Sequence, residues 1–96
     1  MKNKLYIING PNLNLLGKRE PEKYGNRSLE TVETICNQKC NSYNLDLHFF
    51  QSNLEGELIG EIHKAINDAC GILINAGALT HTSIGILDAL NMFDGP

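Results

Sequence analysis

Apolar residues fall along this chain in two alternating rhythms. Leu5-Tyr6-Ile7-Ile8 is a short continuous run, the pattern of a strand buried on both faces. A long polar stretch follows, from Gly10 to about Arg27. Ser28 then stands where an N-cap is wanted, before a helix with Leu29, Val32, Ile35 and Cys36 on one face. Leu45 to Phe50 reads as a second strand. Leu54, Leu58, Ile59, Ile62 and Ile66 keep a helical spacing. Ile72-Leu73-Ile74 is a third short apolar run, and Thr82 to about Met92 reads as a third helix with Ile84, Leu87 and Leu90 inside.

The order β-α-β-α-β-α predicts an α/β fold in which a parallel sheet is covered on both faces. Right-handed crossovers leave few topologies, and a flavodoxin-like doubly wound sheet is the one expected. One domain spans residues 1–96. The Gly95-Pro96 turn comes where a β-α repeat would begin a fourth strand, so the sheet is expected to be truncated after its third β-α unit.

Composition narrows the function classes. A net charge of -3 at pH 7 argues against general nucleic-acid binding. No apolar run approaches the roughly 18 residues of a membrane span. Met1-Lys2-Asn3-Lys4 leads into the first strand without a small-residue cleavage pattern, so no signal peptide is expected. Cys36, Cys40 and Cys70 are an odd set, which suggests reduced thiols in a cytoplasmic protein. Cys36 and Cys40 could share a helix face, but His48 and His63 do not supply the further ligands of a metal site. Small buried hydrophobes are the expected role of these cysteines.

Ligands of open parallel sheets bind at the carboxyl ends of the strands. Here those ends are rich in amides: Asn9 before Gly10-Pro11-Asn12, then Gln51-Ser52-Asn53, then Asn75. Meeting at one edge, they would hydrogen-bond a polar, hydroxylated ligand; taken singly, each is equally well a turn or helix cap. The first loop is long for a βα connection, as lids and site elements often are. It holds four of the eight basic residues, Lys18, Arg19, Lys23 and Arg27. That local positive charge on an acidic chain suits a small anion. G-x-G-x-x-G, G-x-x-x-x-G-K-[ST] and G-x-S-x-G are all absent.

Three segments go further. Asn9-Gly10-Pro11-Asn12-Leu13-Asn14-Leu15-Leu16-Gly17, with Arg19-Glu20-Pro21 and Tyr24-Gly25 after it, resembles the opening of type II (class II) 3-dehydroquinate dehydratases. Gln51-Ser52-Asn53-Leu54-Glu55-Gly56-Glu57-Leu58 and Asn75-Ala76-Gly77-Ala78-Leu79-Thr80-His81-Thr82-Ser83, followed by Asp88-Ala89, resemble later segments of the same family in the same order. The resemblance implies reversible dehydration of 3-dehydroquinate to 3-dehydroshikimate in the shikimate pathway, with no metal and no cofactor. It also implies a homo-oligomer, commonly a dodecamer of trimers. By the same resemblance Tyr24 is the base that removes the C2 proton, Arg19 favours the tyrosinate, and Asn12 helps place a water against the enolate. Asn75 and His81 hold the substrate, and Asp88 reaches the site of a neighbouring subunit.

The electrostatics are consistent with these roles. Ionising a tyrosine of pKa about 10 at pH 7 costs roughly 4 kcal/mol. One cation about 4 Å away returns on the order of 4 kcal/mol at an effective dielectric near 20. The family also carries a later Glu-x-His-x-Ser-Asn strand, whose histidine is the acid, and an arginine for the substrate carboxylate. Residues 1–96 contain no such segment. A chain without them is expected to be nearly or wholly inactive. A non-catalytic module binding a small anion and an inactive truncated subunit are the alternatives.

Overall fold

The computed structural model describes residues 2–96, the side chains of Pro21 and Tyr24 excepted. Strand β1 (Lys4–Asn9) runs between β2 (Asp46–Gln51) and β3 (Ala69–Asn75) and pairs in parallel with both, giving the order β2-β1-β3. Helix α2 (Leu29–Ser42) connects β1 to β2, and α3 (Glu55–Asp68) connects β2 to β3. The two crossovers run in opposite directions across the sheet, so a common right hand puts their helices on opposite faces. The expected doubly wound α/β arrangement is present. The stretch expected as plain loop also holds a 3₁₀ turn (Leu13–Leu15) and the short helix α1 (Pro21–Tyr24).

Alternation along β1 decides what each face buries. Tyr6 and Ile8 point to the side of α3, where they pack with Leu58, Ile62 and Ala65. Helix α4 (Ile84–Leu90) adds Ile86 and Ala89 to the same core. Ile7 points the other way, to the face where Cys40 of α2 is buried. The Ser28 hydroxyl caps α2 as expected, accepting from the Thr31 N–H at 3.2 Å. All three cysteines are free thiols, and Cys40 alone of them is fully buried.

Several side chains lie on the other side of their helices from the one their spacing suggests. Ile35 is exposed, and Cys40 takes the inward position in α2. Leu54 is exposed at the N-cap of α3 rather than inside it. In α4 the inward stripe is Ile86 and Ala89, while Ile84 and Leu87 are 80% and 57% exposed. The helix is apolar on nearly every side, so spacing alone cannot choose its phase. Ser83 sets it: its hydroxyl donates to the Glu55 carboxylate of α3 and caps the Ile86 N–H at 2.9 Å.

A polar cluster absent from the sequence-based expectations is built into the core side of the sheet. Glu61 is 3% exposed. Its Oε1 lies 2.5 Å from His48 Nε2, and its Oε2 accepts from Lys64 Nζ at 2.7 Å. The His48 ring in turn lies against Tyr6, centroids 4.3 Å apart, and the Tyr6 hydroxyl donates to Asp68 at 2.7 Å. Burial, aided by that bond to Asp68, pushes the Tyr6 phenol up to about 12.

Two outcomes follow from this packing. Ile62→Ala removes a side chain with no exposed surface and should cost about 2–5 kcal/mol in denaturant unfolding; a loss under about 1 kcal/mol would contradict the packing described. Burial pushes the Glu61 carboxyl up, but hydrogen bonds from Lys64 and His48 outweigh it and hold the group below its ordinary value of 4.5. A carboxylate lowered in the folded state contributes stability above its unfolded value and loses it as pH falls through the folded one. Glu61→Gln should therefore flatten the loss of stability on acidification below about pH 4.5, read by thermal unfolding across a pH series. An acid limb as steep as that of the unchanged chain would show that Glu61 contributes nothing to it.

Candidate active site

Parallel pairing brings the three amide-bearing strand ends into one row. Asn9 is in register with Gln51 on one side and Asn75 on the other. The Asn9 side chain is buried and donates to the Phe50 carbonyl at 3.2 Å, so it stitches β1 to β2. Asn75 accepts the Gly77 N–H on its Oδ1 at 3.1 Å, which folds the loop after β3 back over the strand end.

The loops after β1 and β3 then lie against one another. The Gly10 N–H donates to the Asn75 carbonyl at 2.7 Å. A Cβ on Gly10 would stand 2.5 Å from the Ala76 carbonyl oxygen, so only glycine allows this approach. Gly77, at φ +60, also passes close to Pro11: a Cβ there would meet the Pro11 oxygen at 3.0 Å. Between the two loops is a cavity of about 220 Å³. Its wall is apolar where Leu13, Leu15, Leu16 and Ala78 line it, and Asn12 and Arg19 supply its polar side chains. A mostly apolar hollow with a few fixed polar groups is the usual form of a small-molecule site.

Asn12 and Arg19 are thus brought together. The side chain of Tyr24 lies outside the described residues. Asn75 does not line the cavity itself but accepts the N–H of Gly77, which does. His81 ends the 3₁₀ turn Gly77–His81 and is exposed, and Asp88 is exposed on α4; neither lines the cavity. Among the described residues no group of three His, Cys, Asp or Glu side chains is placed to hold a metal ion, and no helix is long and apolar enough to cross a membrane. Asn12 adopts a left-handed conformation, φ 72, and makes no side-chain cap. The polarity of this loop and the motif resemblance both pointed to Asn12 beforehand; the backbone conformation has no signature in the sequence beyond the tolerance of Asn for it.

Comparison with other proteins agrees with the fold. The family model described as Dehydroquinase class II matches residues 3–96. The 3-dehydroquinate dehydratase of Cereibacter sphaeroides is 52% identical over the whole chain, which spans 65% of that protein. The 3-dehydroquinate dehydratase 2 of Agrobacterium fabrum is 54% identical over 90 residues, 94% of this chain and 61% of the relative. The crystal structure of type II dehydroquinase from Butyrivibrio crossotus superposes with a TM-score of 0.90 at 41% identity, covering 98% of this chain and 68% of its own. That from Propionibacterium acnes gives 0.92 at 33% identity, covering 100% and 66%. The chain therefore spans about two-thirds of the length of the proteins it matches. With residues 3–96 matched throughout and the same fold at this identity, the chain belongs to the class II dehydroquinase family.

Proposed function

We propose that the cavity between the first and third loops takes 3-dehydroquinate and that residues 1–96 supply the base half of its dehydration to 3-dehydroshikimate. The observation carrying this reading is that Asn12 and Arg19 line one small, largely apolar cavity at the carboxyl edge of the sheet. The Tyr24 phenolate takes the C2 proton of the substrate. The electron pair enters the enolate of the C3 ketone, and Asn12 orders a water against its oxygen. Collapse of the enolate expels the β hydroxyl, which leaves as water when an acid protonates it. Asn75 and His81 hold substrate hydroxyls. Asp88, exposed on α4, serves the site of a neighbouring copy in a homododecamer of a cytoplasmic enzyme.

The chemistry of the tyrosines supports Tyr24 as the base. The chain has three. Tyr6 is buried against Asp68 and pushed up to about 12, far from service as a base near neutrality. Tyr43 is exposed at the C-terminus of α2, under Lys39. Tyr24 is on the loop that carries Arg19, whose cation would stabilise the phenolate. Without a general acid, elimination by these residues is slowed by about 10²–10⁴, but proton removal at C2 does not need one.

Incubation of the 96-residue chain with 3-dehydroquinate in D₂O is expected to exchange the C2 hydrogen faster than it yields the conjugated product, as read by NMR. Tyr24→Phe should lower that exchange by about 10²–10⁴. Exchange no faster than in buffer, or equal in Tyr24→Phe, would overturn the proposal. Arg19→Ala removes a cation that favours the ionised base. The rise of exchange rate with pH should then move upward by about one to three pH units, and an unmoved profile would remove Arg19 from that role.

A further inference from the structure

The end of β2 holds two side-chain amides whose bonds converge on the loop carrying Asn12. Gln51 Nε2 donates both to the Gly10 carbonyl at 3.1 Å and to Asn53 Oδ1 at 3.2 Å. Asn53 Oδ1 also accepts the Asn12 N–H at 3.0 Å. The pair therefore grips a carbonyl on one side of Pro11 and an N–H on the other. Pro11 itself has no N–H and a fixed φ, so the segment between the two grips is stiff. From the opposite side Gly10 is pinned to β3 through the Asn75 carbonyl.

This arrangement meets a specific need. Asn12 is held at φ 72, a left-handed conformation that costs most L residues about 1–2 kcal/mol and Asn less. A hydrogen bond to its N–H from a fixed acceptor offsets part of that cost and fixes the backbone from which the side chain projects. Asn12 makes no side-chain cap, which leaves that amide to address the cavity. Gln51 is in turn placed by the strand: it is the last residue of β2 and in register with Asn9.

We propose that Gln51 and Asn53 are positioning residues for Asn12, acting as a two-amide clamp in which Gln51 must donate and Asn53 must accept. The inference rests on the reading of the cavity as a 3-dehydroquinate site. The required polarity gives it an asymmetric signature. Asn53→Asp keeps the acceptor and both bonds, whereas Asn53→Ala removes them. Gln51→Glu sets a carboxylate against the Gly10 carbonyl and Asn53 Oδ1, two acceptors, and should do more harm than Gln51→Ala.

The test compares these four variants with the unchanged chain by amide hydrogen exchange and by C2 exchange of 3-dehydroquinate. Asn53→Ala and Gln51→Glu should speed exchange of the Asn12 N–H about tenfold or more. Both should lower kcat for C2 exchange by about ten- to a hundredfold, with a smaller change in KM. Asn53→Asp should restore Asn12 protection and most of kcat; its added charge near an anionic substrate is expected to appear in KM. An Asn12 N–H unaffected by Asn53→Ala, Asn53→Asp as damaging as Asn53→Ala, or Gln51→Glu milder than Gln51→Ala would each overturn the clamp. The amide exchange needs no substrate. A chain inert toward 3-dehydroquinate would therefore overturn the proposed reaction, while the clamp would still stand or fall on the Asn12 N–H.

Discussion

A central strand paired in parallel on both sides must end beside the ends of both its neighbours. In this chain that constraint brings Gln51, Asn9 and Asn75 into one row. Everything that forms the candidate site hangs from the row. The first loop leaves after Asn9, the third after Asn75, and the glycines at 10 and 77 let the two pass within contact of one another. An antiparallel pairing of the same strands would send one of these loops to the opposite edge. The cavity is therefore a consequence of strand direction before it is a consequence of any side chain lining it.

The two halves of the sheet treat polarity differently. At the carboxyl edge, side-chain amides bind backbone groups of strand and loop, as Asn9 does with Phe50 and Gln51 with Gly10. These bonds are neutral and indifferent to pH across the range in which amides do not titrate. Within the core side of the sheet, polarity is ionic: Glu61 is buried between Lys64 and His48, and Tyr6 bonds to Asp68. Glu61 is the buried charge of this set, while Lys64 and Asp68 reach solvent, so leaving Glu61 unpaired is the costly change. The ionic cluster therefore ties α3 to β1 and β2 without imposing a charge on the cavity, whose polar side chains are Asn12 and Arg19.

Element order and topology were legible in the sequence because short apolar runs and helical periodicities differ so plainly here. The first and third strands came out longer than their apolar runs and the second shifted by one residue, since Lys4, Asn9, Gln51 and Asn75 are polar residues that still pair. The amide-rich edge was legible for a similar reason: residues ending consecutive parallel strands must meet. What periodicity could not give was the phase of helices apolar on more than one side. Ile84 and Leu87 satisfy the inward spacing of α4 as well as Ile86 and Ala89 do, and a tertiary bond between Ser83 and Glu55 decides between them. Nor could it give the partnership of Glu61 with His48, thirteen residues apart on different elements. The roles of Tyr24, Arg19 and Asp88 came from a resemblance of motifs, because no spacing rule connects a loop tyrosine to proton removal.

The exposed apolar residues carry the same lesson about phase into the surface. Leu73 is 56% exposed because it points to the α2 side of β3, and α2 packs on β2. Ile84 and Leu87 are exposed because the Ser83 cap turns the other stripe of α4 inward. These positions differ from the cavity in what determines them. Leu13, Leu15 and Leu16 wall a hollow faced by Gly77 and Ala78 of the other loop, and of the three only Leu15 stays exposed, at 44%. Leu73, Ile84 and Leu87 have no such facing segment among the described residues, and their exposure follows from helix phase and strand position alone. Apolar surface in this fold thus arises by two routes. The surface shaped between two pinned loops is the one with the fixed polar groups that a selective site requires.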